Sequence, residues 1–235
     1  MALPLSIIIP TYNEEQYLPK LLDSIKKQTK RPKEIIVSDA FSTDNTRKIA
    51  KEFGCKVVDG GLPAKGRNMG AEAATQPTLL FLDADVLLPP RFLEDTVNEM
   101  NKRKLDIATC FVTPLSTNLF DIFLHEFTNF YFKVTRVFSP RIAGFCVFVS
   151  SDLHKRIKGF DESLMLGEEH DFAKRAIRFS KFGYLTAHRI PVSVRRIAEE
   201  GRLKFTLQYI AIDLHILFLG RIRKNIFNYR FGHQD

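Results

Sequence analysis

The chain of 235 residues is 45% apolar and 26% charged, an ordinary globular balance with room for one sizeable core. Its three cysteines, Cys55, Cys110 and Cys146, lack CxxC spacing, which argues against a disulfide scaffold and predicts buried thiols in a reducing compartment. The net charge of +8 is uneven: Arg189 to Asp235 carry nine Lys/Arg against four Asp/Glu, so the tail suits a phosphate-rich partner such as a nucleotide, a membrane surface or a nucleic acid.

Met1-Ala2-Leu3-Pro4 leads straight into a strand pattern without a signal peptide. No uninterrupted run reaches the roughly eighteen apolar residues of a spanning helix. The expectation is a cytoplasmic protein.

Leu5 to Pro10 reads as a β-branched strand stopped by proline. Thr11 stands three residues before Glu14, the spacing of a capping box, and predicts a helix running to about Gln28 with Tyr17, Leu18, Leu21, Leu22 and Ile25 on its apolar face. Glu34 to Asp39 is the next strand. Ser42-Thr43-Asp44-Asn45-Thr46 opens a helix closed by Gly54. Cys55 to Val58 is a brief strand, Gly60 to Pro63 a loop, and Gly66 to Ala74 a short helix.

Thr78 to Leu82 follows as a buried strand ending in Asp83-Ala84-Asp85, then a helix over Pro90 to Lys102 and a strand over Asp106 to Val112. This alternation predicts βαβ units and a mostly parallel sheet.

Leu115 to Phe138 carries apolar residues at three-and-four spacing. Gly144 to Val149 is strand-like, and Ser151-Asp152 caps a short helix. Gly167-Glu168-Glu169-His170-Asp171 opens a helix to Phe179, and Gly183 to Pro191 forms a further strand. Leu203 to Leu219 is mostly apolar, and Arg221, Arg223, Lys224 and Arg230 follow it.

In a parallel sheet the polar strand ends share one edge. Pro10-Thr11-Tyr12-Asn13-Glu14, Asp39 and Asp83-x-Asp85 therefore gather where a ligand of an open α/β sheet binds. Asp83 and Asp85 read either as turn and cap chemistry or as ligands of a hard divalent cation that holds a phosphate on its other side. Lys65-Gly66-Arg67-Asn68-x-Gly70 is either a solvated turn or a small-residue turn that lets a phosphate or base approach.

The Glu168 to Asp171 cluster is either a dipole-stabilised helix start or a general base with its pKa raised by a neighbouring acid. His170 and His188 lack ligand spacing to each other and read as structural.

Taken together, Pro10-Thr11-Tyr12-Asn13-Glu14, Asp39 with Ser42-Thr43-Asp44-Asn45-Thr46, Gly66-Arg67-Asn68-x-Gly70, Asp83-Ala84-Asp85, Gly159-Phe160-Asp161 and Gly167-Glu168-Glu169-x-Asp171 resemble family 2 glycosyltransferases, over roughly residues 4 to 196. The resemblance implies an α/β, GT-A (Rossmann-like) fold with a mixed, mainly parallel sheet flanked by helices, and C-terminal apolar and basic helices. It also implies a nucleotide-diphosphate sugar donor (a UDP- or GDP-sugar), Mg²⁺ or Mn²⁺, and inversion at the anomeric carbon.

By position in the motifs, Pro10, Thr11, Tyr12 and Glu14 would line the nucleotide pocket. Asp39 would accept a hydrogen bond from the base, and Arg67 would lie against nucleotide or diphosphate. Asp83 would sit near the ribose and Ala84 in the donor site, with Asp83 and above all Asp85 on the metal. Glu169 would be the catalytic base, with Glu168 and Asp171 as alternatives.

The sequence departs from the family pattern in three places. Phe41 stands where the family has a glycine, Glu169 where it has an aspartate, and Val194-Arg195-Arg196 where a histidine is usual; Arg195 and Arg196 would meet the diphosphate. Residues 1–200 read as the GT-A domain, with 1–114 as the nucleotide half and 115–200 as the acceptor half. Residues 201–235 form an apolar and basic helical extension.

The stretches 115–138 and 203–219 are either core and acceptor wall or interfacial helices on a membrane. In the second case the acceptor is a polyprenyl phosphate or lipid-linked glycan, and the protein is peripheral on the cytoplasmic face. An inactive donor-binding module and a sugar-nucleotide pyrophosphorylase are alternatives. The chain lacks the helix-turn-helix, zinc and RNA-recognition patterns of nucleic-acid binders.

Overall fold

The computed structural model describes residues 2–136, 141, 142 and 144–229. Phe138 of the aromatic stretch and Arg230 of the basic tail lie outside them. Strands β1 (Leu3–Thr11), β2 (Pro32–Asp39), β3 (Lys56–Asp59), β4 (Thr78–Leu82), β5 (Ile107–Pro114), β6 (Cys146–Ser150) and β7 (Phe182–Val192) form one sheet in the order β3-β2-β1-β4-β6-β5-β7. β1 pairs in parallel with β2 and β4, β2 with β3, and β5 with β7. β6 runs antiparallel to both of its neighbours.

The helices are α1 (Leu18–Lys26), α2 (Thr46–Glu52), α3 (Pro63–Glu72), α4 (Phe92–Arg103), α5 (Leu119–Thr135), α6 (Ser151–Arg156), α7 (Glu168–Ala176), α8 (Arg195–Glu200) and α9 (Arg202–Phe218).

Strand alternation divides the core into two layers. Ile7, Ile9, Leu80 and Leu82 pack against Leu21, Leu22 and Ile25 of α1 and Phe92 and Leu93 of α4. Ile8, Leu79 and Phe81 face Ala64 and Ala71 of α3, Leu153 of α6 and Phe172 of α7. A Cβ on Gly70 would lie 2.3 Å from Ile8 Cγ2, so α3 seats on β1 only because this position has no side chain.

Several element boundaries differ from expectation. Thr11 ends β1 and donates to Asp39 Oδ1 at 3.0 Å, so it caps no helix. The Glu14 amide is satisfied instead by Thr46 Oγ1 at 2.8 Å, and α1 starts only at Leu18. Helix α3 begins at Pro63 inside the expected loop, with proline in the first turn, where its missing N–H costs nothing.

Helix α5 separates the two readings of its stretch. Its buried residues are Asp121, His125, Asn129 and Phe132, while Leu119, Phe123, Phe127, Phe130 and Val134 are exposed. The stripe turns outward, against the core reading. The polar side is satisfied within the fold: Asn129 Oδ1 accepts from Val112 N at 2.9 Å and its Nδ2 donates to Val112 O at 2.8 Å. Asp121 takes Arg202 at 2.8 and 3.0 Å and Ser116 Oγ at 2.7 Å.

Candidate active site

The C-terminal ends of β1, β2 and β4 bring Thr11, Asp39 and Asp83 to one edge; Thr11 and Asp39 are register partners. Because β6 is antiparallel, its first residue Cys146 pairs with Leu82, which brings Gly144 to the same edge. A Cβ on Gly144 would lie 3.3 Å from Arg67 Nη2 and 3.6 Å from Glu169 Cγ, so glycine leaves space for both.

Arg67, buried on α3, links the elements that meet here. Its Nη1 donates to Glu168 Oε1 at 2.6 Å, and its Nη2 to Asp83 Oδ1 at 3.1 Å and Gly144 O at 3.3 Å. One guanidinium therefore ties the acid after β4 to the first residue of α7, held from behind by the Phe160 ring 5.4 Å away.

Burial, together with the charge of Glu169, pushes the Glu168 carboxyl up to about 7 against the opposing pull of Arg67. Glu169 is also raised, chiefly by burial, although 22% of its side chain reaches solvent. Asp171 is engaged by Arg175 at 2.6 Å and Arg221 at 2.7 Å. His170 Nε2 lies 3.7 Å from Glu169 Oε1 and 3.9 Å from Asp213 Oδ1, and burial followed by the Arg141 charge lowers its pKa, so the ring is neutral near pH 7.

A second arginine closes the other side. Arg195 donates to both oxygens of Glu14, at 2.6 and 2.9 Å, and its Nε lies 3.2 Å from Asp85 Oδ2. Its guanidinium covers the Tyr17 ring at 4.2 Å. Burial and the Asp83 charge push Asp85 up to about 6, with Arg195 opposing. Arg196 donates to Tyr229 Oη and lies 4.8 Å over that ring.

The expected site residues thus take different postures. Arg67 bridges Asp83 and Glu168, Arg195 bridges Glu14 and Asp85, and Glu169 lies near enough for its charge to act on Arg67. Asp39 has no exposed surface and is filled by four donors: Thr11 Oγ1, Ser42 N, Ser42 Oγ and Arg47 Nη1. A nucleobase would have to displace one of them, and Arg47, at 3.3 Å, is the most distant. Ala84 sits in the hydrophobic core. Pro10 packs under α3, where a Cβ on Gly66 would lie 3.2 Å from its Cβ. Tyr12 is half-buried in the loop after β1.

Tyr17, Gly144 and Tyr229 belong to the site and were not expected there. Tyr17 reads from its spacing as helix core, and no local signal marks an aromatic as a platform for an arginine 178 residues away.

The donor chemistry suits Mg²⁺ or Mn²⁺, since Asp83 and Asp85 present hard carboxylate oxygens and Asp85 already faces a cationic group at 3.2 Å. Among the described residues no three His, Cys, Asp or Glu side chains converge as a complete cage. Two carboxylates alone would leave the rest of such a shell to water and phosphate, as Mg²⁺ sites commonly do.

The mixed, mainly parallel seven-stranded sheet flanked by helices makes this a GT-A, Rossmann-like α/β protein. Residues 6–157 match the model of glycosyl transferase family 2, and the chain belongs to that family. Validoxylamine A glucosyltransferase of Streptomyces hygroscopicus subsp. limoneus is 35% identical over 103 residues, covering 40% of this chain and 23% of that protein. Poly(ribitol-phosphate) beta-N-acetylglucosaminyltransferase TarS of Staphylococcus aureus (strain Mu50 / ATCC 700699) is 27% identical over 203 residues, 80% of this chain and 33% of that protein. The chain spans a third or less of the length of these two relatives.

Among solved structures, S. aureus TarS 1-349 in complex with UDP aligns with a TM-score of 0.64 at 24% identity, covering 83% of this chain and 61% of that one. Mannosyltransferase PcManGT from Pyrobaculum calidifontis, in complex with GDP-Man and Mn²⁺, gives 0.68 at 21% identity, with 83% and 58% covered. At such identities the likeness concerns the fold.

Proposed function

We propose that this chain is an inverting glycosyltransferase domain that moves a sugar from a UDP- or GDP-sugar to a hydroxyl or phosphate acceptor. The observation that carries the reading is the Arg67 bridge, which holds Asp83 on the donor side and Glu168 beside Glu169 in one rigid unit. The UDP and the GDP-Man with Mn²⁺ held by the structural neighbours support the donor class. Residues 1–114 would bind nucleotide, 115–200 would complete the acceptor half of the domain (1–200), and 201–235 would extend it.

Asp85, with Asp83, would hold Mg²⁺ or Mn²⁺. When bound, the ion supplies positive charge to the departing diphosphate. Arg195 and Arg196 begin the same helix and would add positive charge on that side, Arg195 by leaving Glu14 and Asp85 for phosphate oxygens.

Glu169 would take the proton of the acceptor hydroxyl while that oxygen forms a bond to the anomeric carbon. The bond from that carbon to the diphosphate breaks on the opposite face, giving inversion. Its raised pKa, its 22% exposed side chain and the space left by Gly144 support this role. Glu168 is held by Arg67 and Asp171 by two arginines, which leaves them less suited to proton transfer.

In this reading the acceptor is lipid-linked, a polyprenyl phosphate or a lipid-linked glycan, and the protein is peripheral on the cytoplasmic face of a membrane. Glu169→Gln tests the assignment: with a lipid-linked glycan in detergent as the offered acceptor, whose hydroxyl carries the proton to be removed, donor binding should persist and sugar transfer should fall about a hundredfold or more. Transfer at the wild-type rate would remove Glu169 from the base position.

A further inference from the structure

We infer that the outward faces of α5 and α9 form one surface that docks on an anionic lipid bilayer, an inference that rests on the lipid-linked acceptor proposed above. On α5 the exposed residues Leu119, Phe123, Phe127, Phe130 and Val134 follow helical spacing, with Leu119 81% and Phe123 67% accessible. On α9, Leu203, Leu207, Ile210, Leu214 and Leu217 recur every three or four residues, and all are 48–69% accessible. Ile212 is the one buried residue of α9. These stripes are not leftovers of poor packing, because the opposite side of α5 is specified polar group by polar group: Asp121 to Arg202 and Ser116, His125 Nδ1 to Asp121 O at 2.6 Å, and Asn129 to Val112.

The two helices are tied to each other through side chains at two levels. Arg202 at the start of α9 grips Asp121 near the start of α5 at 2.8 Å. Further along, Asp213 of α9 takes Arg141 at 3.0 Å, whose guanidinium lies 5.9 Å over Tyr131 of α5. From 121 to 131 and from 202 to 213 each helix advances roughly 15 Å, so the two ties fall at similar distances along both helices and in the same order. No helix among the described residues is long and apolar enough to cross a bilayer, so the stripes can only lie on one.

Charge selects the occupant. The acids of the two helices, Asp121, Glu126 and Asp213, are each answered by an arginine: Arg202, Arg189 and Arg141. Lys133, Arg136 and Lys204 remain exposed as cations on the helices, and Lys224 just beyond them. Beside the end of α5, Arg103, Lys133 and Arg136 also line a cavity of about 520 Å³ over Phe111 and Tyr184, with Glu99 engaged by Arg103. A second copy would set these cations against their own kind, whereas anionic headgroups complement them. Beneath the pair, Arg141 and Asp213 lead to His170 and then Glu169, at 3.9 and 3.7 Å. A lipid headgroup presented between the helices would meet the proposed base.

Co-sedimentation of the whole chain with phosphatidylcholine vesicles containing about a third phosphatidylglycerol tests this. Binding is expected at low salt, and it should be at least about tenfold weaker on pure phosphatidylcholine. The double variants Phe123→Ser/Phe127→Ser and Leu207→Ser/Leu214→Ser should each weaken binding by about tenfold or more, with unchanged calorimetric titration by the nucleotide-sugar. Absence of vesicle binding at low salt overturns the inference, as does a dimer, seen by light scattering, that these same variants dissociate. Failure of the nucleotide-sugar titration would instead strike the transferase reading.

Discussion

Glu168 carries a cost that one substitution removes. It is 7% exposed at the start of α7, and its carboxyl titrates near 7 where an ordinary glutamate titrates near 4.5. Each tenfold gap in proton affinity is about 1.4 kcal/mol, so ionising Glu168 in the fold costs roughly 3 kcal/mol more than in the unfolded chain. The raised value belongs to the folded state. The group's contribution to stability is therefore fully present below about pH 4.5 and lost as pH rises through about 7.

Glu168→Gln has no such proton to lose. The stability of wild type relative to this variant should fall by about 2–3 kcal/mol between pH 5 and pH 8, measured by urea unfolding at both. The pull of Arg67 on the ionised carboxylate is already contained in the raised value, and Arg67 itself stays charged over this range. Stability curves of the two proteins that run parallel in pH would refute the reasoning, since Glu168 would then titrate alike folded and unfolded.

Two further outcomes follow from backbone and packing. Gly70→Ala should destabilise by about 2–3 kcal/mol, because its methyl would lie 2.3 Å from Ile8 Cγ2; adding Ile8→Ala should make the double variant less unstable than the sum of the two, as a double-mutant unfolding cycle can measure. Phe41, 66% exposed with φ +60°, occupies the left-handed region, so Phe41→Gly should raise the unfolding midpoint, with a gain of about 0.5–1 kcal/mol.

Much of the fold can be read locally. Thr78 to Leu82 is a strand for the reason its sequence suggests, a short apolar run that sheet neighbours and helices cover on both faces. Strand direction is less visible: Cys146 to Ser150 reads the same in either sense, and only pairing with Leu82 and Ile107 makes β6 antiparallel. Thr11 fits a capping box by spacing, yet a buried Asp39 across the sheet competes for its hydroxyl and wins.

Periodicity finds the stripe on α5 but not the side it faces, which is fixed by Val112 and Arg202 taking the polar residues inward. The acids of the site are visible as motifs, whereas their counter-ions are not. Arg67 meets Glu168 across 101 positions and Arg195 meets Glu14 across 181, distances over which a sequence carries no local signal. Arg195 also keeps Glu14 and Asp85, and Arg47 keeps Asp39, from being the open acids that a motif suggests.

The claim at the centre is that Asp85 and its neighbours receive a nucleotide-sugar with a divalent ion. Calorimetric titration of the chain with a panel of UDP-, GDP- and dTDP-sugars, with and without Mn²⁺, tests it most directly when repeated on Asp85→Ala. The expected result is Mn²⁺-dependent binding of at least one sugar nucleotide that Asp85→Ala abolishes. Binding of none of the panel, or binding that Asp85→Ala leaves intact, would contradict it.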